Sequence, residues 1–181
     1  MTKRITISTL DAMKASGDKF VMITAYDATF ARLASEAGAE TILVGDSLGM
    51  VLQGHETTIP VSLDAMVYHT ECVARAKPRS LIVADLPFMS FSNPDDALHA
   101  STQLMQAGAQ MVKLEGGTWL SDSINRLVER GVPVCAHLGL TPQSVNVFGG
   151  YRVQGRTPKA AKSILADAVE IQDAGASLLV L

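Results

Sequence analysis

Four segments of the chain share one order of small, apolar and polar positions: EAGAETILVGDS (36–47), QAGAQMVKLEGG (106–117), ERGVPVCAHLGL (129–140) and DAGASLLVL (173–181). Each runs from a helical ending through a glycine into a short apolar stretch. Glycine accepts the left-handed backbone of a helix stop, and a short apolar run with no polar alternation predicts a strand buried on both faces. In the first three segments the strand delivers polar residues at its C-terminal end: Asp46 and Ser47, then Lys113 and Glu115, then His137. Two further strands, FVMITAYD (20–27) and SLIVADLPF (80–88), lack the glycine preface and deliver Tyr26, Asp27 and Asp85.

Helical periodicity fills the gaps. ATFARLASEAG (28–38) places Phe30, Leu33, Ala34 and Ala37 on one stripe. The helix over 61–77 has Ser62 as its candidate N-cap. That over 93–108 has Asn93 as N-cap, Pro94 at the first helical position and acids in the first turn. Helices over 119–131 and 157–175 follow, the second with the start signal Thr157-Pro158, and STLDAMKAS (8–16) predicts a short helix before the first strand.

The resulting order is a leading helix, five βα units and a sixth strand. Alternating βα units imply a parallel sheet covered by helices, either open and doubly wound or closed as a (β/α)₈ TIM barrel. No G-x-G-x-x-G follows the first strand, which weakens the dinucleotide-binding version. Polar groups at the ends of at least four strands suit the barrel, whose site is assembled from many βα loops. On that reading residues 1–181 hold the first six strands of a single barrel domain, and strands 7 and 8 are missing.

Composition narrows the function classes. The 181 residues are 48% hydrophobic and 18% charged, with net charge −3 and pI near 5.8. There is no basic footprint for nucleic acid and no polybasic membrane patch. No run of 18 apolar residues occurs, MTKRITISTL lacks the apolar core of a signal peptide, and Cys72 and Cys135 form no metal or disulfide spacing. A cytoplasmic protein is expected. Residues 138–156, rich in glycine and with two arginines, make one long loop without a clear period, readable as a substrate cover or as a packing or oligomer loop.

The chemistry sits at the strand ends. Asp46, Asp85 and Glu115 come from three strands on the face where a parallel sheet places its ligand. Converging carboxylates repel and raise one another's pKa; a hard divalent cation with oxygen ligands, Mg²⁺, relieves that conflict, while capping of the following helices is the structural alternative. Lys113, two residues before Glu115, points to the same side, to pair with Glu115 or to hold a substrate carboxylate or enolate oxygen. His137 offers a hydrogen bond to a ligand or to a backbone carbonyl, and Ser47 a hydroxyl beside Asp46. His55, His69 and His99 are read as structural. A cation with open positions beside Lys and Ser suits a 2-oxo acid, whose keto oxygen it would polarise so that the neighbouring carbon loses a proton.

The blocks ITAYDATFARLASEAG, LVGDSLGMVLQGHETTIPVSLDAMVYHT, ADLPFMSF, MVKLEGG and VCAHLGLTPQSVNVFGGYRVQGR closely resemble the ketopantoate hydroxymethyltransferase family, over residues 5–181. The resemblance implies a (β/α)₈ barrel, a homodecamer, and transfer of a hydroxymethyl group from 5,10-methylenetetrahydrofolate to 3-methyl-2-oxobutanoate on the route to pantothenate and coenzyme A. It implies Mg²⁺ on Asp46, Asp85 and Glu115, oxo-acid contacts at Asp46, Ser47, Asp85 and Lys113, and His137 in the same pocket. It also implies a catalytic Glu immediately after Leu181, so that no catalytic base lies within this chain. The repeat agrees: Gly38 precedes Asp46 by eight residues, Gly108 precedes Glu115 by seven and Gly131 precedes His137 by six, and about the same count from Gly175 passes Leu181. The expectation is a C-terminally incomplete transferase. The alternatives are a Mg²⁺-dependent 2-oxo acid enzyme of the phosphoenolpyruvate mutase and isocitrate lyase type, and a non-catalytic assembly subunit.

Overall fold

The computed structural model describes residues 4–181; Met1, Thr2 and Lys3, part of the N-terminal stretch read above for a signal sequence, lie outside the described residues. Helix α1 (Ile7–Ser16) leads, followed by β1 (Met22–Thr24), α2 (Ala28–Glu36), β2 (Thr41–Val44), α3 (Leu48–Val51), α4 (Leu63–Arg75), β3 (Leu81–Asp85) and α5 (Pro94–Gln106). Then come β4 (Met111–Glu115), α6 (Ser121–Glu129), β5 (Val134–His137), α7 (Val145–Phe148), α8 (Pro158–Asp173) and β6 (Leu178–Val180).

The glycine stops and caps form as their local chemistry requires. Gly38, Gly108, Gly131 and Gly175 all carry positive φ, between 80° and 112°, a region that costs other residues. Asn93 Oδ1 accepts from the N–H groups of Asp95 and Asp96, and Ser62 and Thr157 accept from Ala65 N–H and Ala160 N–H. Each thereby satisfies donors that a helix start leaves unpaired.

All six strands are parallel and stand in the order β1-β2-β3-β4-β5-β6. A doubly wound sheet reverses order at a switch point; strict sequential order with helices between strands is the barrel's winding. The alternation of side chains separates two apolar layers. Ile42, Ile82, Ala84, Val112, Leu114 and Val134 face the helices. Leu81, Val83, Met111 and Cys135 face the concave interior, together with Met22, Leu43, Leu178 and Val180. Ile5, Leu10 and Met13 join this inner layer, so the α1 segment floors the end at which the strands begin, with Ile5 N–H donating to Arg79 O at 2.8 Å. The central strands β3 and β4 are buried throughout, while β1 and β6 at the two edges are partly exposed. The fold is that of a (β/α)₈ barrel, represented here by six strands.

Two local expectations are corrected. The strand expected over 20–27 pairs only at Met22–Thr24; Asp27 lies beyond it and caps α2, accepting from Thr29 N–H at 2.7 Å and Phe30 N–H at 2.9 Å. On α2, Phe30 and Leu33 are 64% and 54% exposed and Ala37 is exposed too, whereas Ala31 and Ala34 are buried. The small side chains meet the sheet because they let the helix approach it closely, so of the expected stripe only Ala34 faces the core. The one-turn helix α3 carries no periodic signal in the sequence.

Candidate active site

Sheet register assembles the polar residues. Asp85 stands opposite Lys113 across β3 and β4, and Glu115 opposite His137 across β4 and β5. Asp85, Lys113 and Glu115 belong to the alternate positions that face the interior, at the end where the strands finish. Asp46, two residues past β2, completes the group, its backbone N–H donating to Asp85 Oδ2 at 3.1 Å.

All four charged side chains are buried, at 2–6% exposure. Lys113 Nζ lies 3.0 Å from Asp85 Oδ1 and 3.9 Å from Glu115 Oε1. His137 Nδ1 lies 3.2 Å from Glu115 Oε1 and 3.3 Å from Lys113 Nζ. Tyr26 OH and Ser47 Oγ are 2.8 Å apart beside Asp46, and His69 Nδ1 meets Tyr26 O at 2.8 Å. The four residues expected to contact the oxo acid, His137 of the same expected pocket, and Glu115 are therefore at one place.

The long loop after β5 reaches into this group. Gln143, on the 3₁₀ turn Pro142–Ser144, donates from Nε2 to Asp46 Oδ2 at 2.8 Å and to Leu86 O at 2.9 Å. Its backbone N–H donates to Glu115 Oε2 at 3.0 Å. Gln143 was not among the residues expected in the site. A loop without a period gives no sign of which side chain turns inward, and its partner Asp46 is 97 residues away.

The cluster is short of positive charge, with three carboxylates around one ammonium. Burial, then the neighbouring Asp85, pushes the Asp46 carboxyl up to about 7, against the donor from Gln143. Burial also raises Asp85, opposed by Lys113. Burial alone would pull Lys113 down, but Asp85 and Glu115 outweigh it and its pKa is raised, so it remains a cation. Asp85 Oδ1 is buried and touches Lys113 Nζ without an aligned hydrogen bond. A hard divalent cation fits this donor set: the ligand atoms are carboxylate oxygens, the charge deficit is positive, and one oxygen lacks a directed partner. Among the described residues no three His, Cys, Asp or Glu side chains converge as a ready-made cage; Gln143 holds one oxygen each of Asp46 and Glu115, and Lys113 lies against Asp85.

Fold and site together define a (β/α)-barrel protein with a buried acidic, lysine-bearing cluster at the C-terminal ends of its strands. The family model for ketopantoate hydroxymethyltransferase matches residues 4–181, and the chain belongs to that family. It is 62% identical over 177 residues to 3-methyl-2-oxobutanoate hydroxymethyltransferase of Burkholderia vietnamiensis, covering 98% of this chain and 65% of that protein. It is 56% identical over 179 residues to the protein of the same name in Ralstonia pickettii, covering 99% and 66%. The chain thus spans about two thirds of the length of the curated relatives it matches. Among solved structures, phosphonopyruvate hydrolase in complex with oxalate and Mg²⁺ superposes with TM-score 0.72 at 17% identity, over 96% of this chain and 61% of the other. 2,3-Dimethylmalate lyase, of the PEP mutase/isocitrate lyase superfamily, gives 0.66 at 17%, over 94% and 60%. At those identities the likeness is one of fold. Among the described residues no helix is long and apolar enough to cross a membrane.

Proposed function

We propose that this chain supplies the 2-oxo-acid half of a hydroxymethyltransferase site, in which 3-methyl-2-oxobutanoate receives a one-carbon unit from 5,10-methylenetetrahydrofolate to give 2-dehydropantoate. The observation that carries the reading is the buried ammonium of Lys113, 3.0 Å from Asp85, among three carboxylates that it cannot neutralise. Asp46, Asp85 and Glu115 would hold Mg²⁺, which when bound supplies Lewis-acid polarisation of the keto oxygen.

The chain's own groups do the rest of the binding. Lys113 is held by Asp85 and Glu115 and offers its charge to the anionic end of the oxo acid. Ser47, positioned by Tyr26, offers a hydroxyl beside Asp46. His137, which lies against Glu115, would hydrogen-bond the ligand from the β5 side. Val180, the last residue of β6, pairs with His137 and belongs to the inner layer. Assembly as a homodecamer and a cytoplasmic location belong to the same reading.

The phosphonopyruvate and dimethylmalate enzymes share the barrel, and phosphonopyruvate hydrolase forms a complex with oxalate and Mg²⁺. The 62% identity to a hydroxymethyltransferase against 17% to these favours the transferase. The test is calorimetric titration with 3-methyl-2-oxobutanoate, with and without Mg²⁺, beside oxalate and phosphonopyruvate. Mg²⁺-dependent binding of the branched oxo acid is expected; binding that ignores the cation, or prefers phosphonopyruvate, would overturn the reading.

A further inference from the structure

Gln143 ties three strand ends of the site together from outside the sheet. It follows β5, yet its hydrogen bonds end on the residues that close β2, β3 and β4: Asp46, Leu86 and Glu115. Both hydrogens of its amide nitrogen are used, and its backbone N–H is used as well. The residue is buried, at 6% exposure. A buried primary amide is costly unless its donors are satisfied, and an apolar side chain of equal length would fill the space without that cost. Polarity at this position therefore points to the carboxylates it grips.

The turn that carries Gln143 is closed on itself. Ser144 N–H donates to Thr141 O at 2.9 Å, and Thr141 Oγ1 donates to Ser144 Oγ at 3.0 Å. Val145, the first residue of α7, is buried behind it. The turn is thus a compact piece that can bear on the cluster as a unit. Its grip falls on Asp46 and Glu115, which lack the direct 3.0 Å contact with Lys113 that Asp85 has. Lys113 orients one carboxylate, and Gln143 orients the other two.

We infer that Gln143 is a positioning residue: it fixes the carboxylates of Asp46 and Glu115 for their ligand and makes the seating of the 138–156 loop depend on what those carboxylates bind. The inference rests on the proposed cation site and adds the coupling between that site and the loop. Loss of a group that merely orients a metal ligand commonly costs about 10–100-fold in metal affinity. Gln143→Met keeps the length of the side chain and removes both side-chain donors, leaving the backbone bond to Glu115.

The experiment uses Mn²⁺ as a paramagnetic probe, titrated into the chain and into Gln143→Met by electron paramagnetic resonance, with amide hydrogen exchange of residues 141–150 measured by mass spectrometry with and without the ion. In the unsubstituted chain Mn²⁺ should bind and should slow exchange in that segment. In Gln143→Met the affinity should fall by about 10–100-fold, and the slowing should vanish even at saturating Mn²⁺. Equal affinity in the two proteins, or loop exchange indifferent to the ion in the unsubstituted chain, would overturn the inference while leaving the cation site intact. No Mn²⁺ binding by the unsubstituted chain would overturn the cation reading and this inference with it. The response of the unsubstituted chain needs no variant, so the inference can fail even where Gln143→Met does not fold.

Discussion

Asp85 and Lys113 stand opposite one another in the register of β3 and β4, and their side chains meet with Lys113 Nζ 3.0 Å from Asp85 Oδ1, both almost wholly buried. Two charges removed from water recover little unless each is fully paired, and here one ammonium serves a cluster of three carboxylates. The pair is better understood as half of a binding device than as a stabilising bridge.

Replacing Lys113 by Met keeps the stem and deletes the charge. Removing one member of a buried pair typically costs about 3–5 kcal/mol, lessened here because burial raises the Asp85 pKa and Lys113 is the main group opposing that rise, so without it the carboxyl takes up a proton more readily. Affinity for 3-methyl-2-oxobutanoate should fall at least tenfold (about 1.4 kcal/mol) with the circular dichroism unchanged. Calorimetry that finds the affinity intact would leave Lys113 with the carboxylates as its only partners.

Asp46→Ala and Asp85→Ala should each weaken Mg²⁺-dependent binding of the oxo acid on the order of 100-fold, beyond what loss of an orienting group costs. Glu36→Ala, on the exposed end of α2, should change nothing. Equal responses from the three variants would remove the carboxylates from the cation site.

The cation-free chain should lose stability as pH rises from about 4 to about 7. Asp46 takes its proton in the folded state near pH 7, against 3.8 ordinarily, so across that window the folded chain binds more protons than the unfolded one. Stability falls with pH wherever the native state holds the extra proton. The raised Asp85 acts in the same direction. Urea midpoints for the parent chain and Asp46→Asn check this: the difference between them should follow the same window, and parallel pH profiles would contradict it.

The two thiols should separate cleanly. Burial pushes the Cys135 thiol up to about 12, and Cys135 is fully enclosed in the inner layer, while Cys72 on α4 is only partly covered. A disulfide reagent at pH 8 should modify Cys72 first and reach Cys135 only under denaturing conditions, because the thiolate is the reactive form. Two equally fast phases would mean that the inner layer is open to solvent.

Much of this was legible locally. Asn93, Ser62 and Thr157 announce helix starts because a side-chain oxygen two or three residues before an amide can satisfy it whatever the rest of the chain does. Gly38, Gly108, Gly131 and Gly175 announce helix ends for the same kind of reason. Strand alternation put Lys113 and Glu115 on one side without reference to any partner. The face of α2 was not legible, because burial of Ala31 and Ala34 rather than Phe30 and Leu33 depends on how near that helix lies to the sheet.

By itself, then, the sequence determined the alternation of strand and helix, the polar residues at the ends of the second to fifth strands, and the motif blocks that mark the family. All of these follow from backbone chemistry within a few residues. Only the tertiary structure decided that the strands lie in sequential order, that Asp85 meets Lys113, and that Gln143 reaches Asp46 across 97 residues of chain. Those pairings are set by the curvature and register of a sheet closing around its own inner side chains, a balance among residues far apart in sequence that no local pattern encodes.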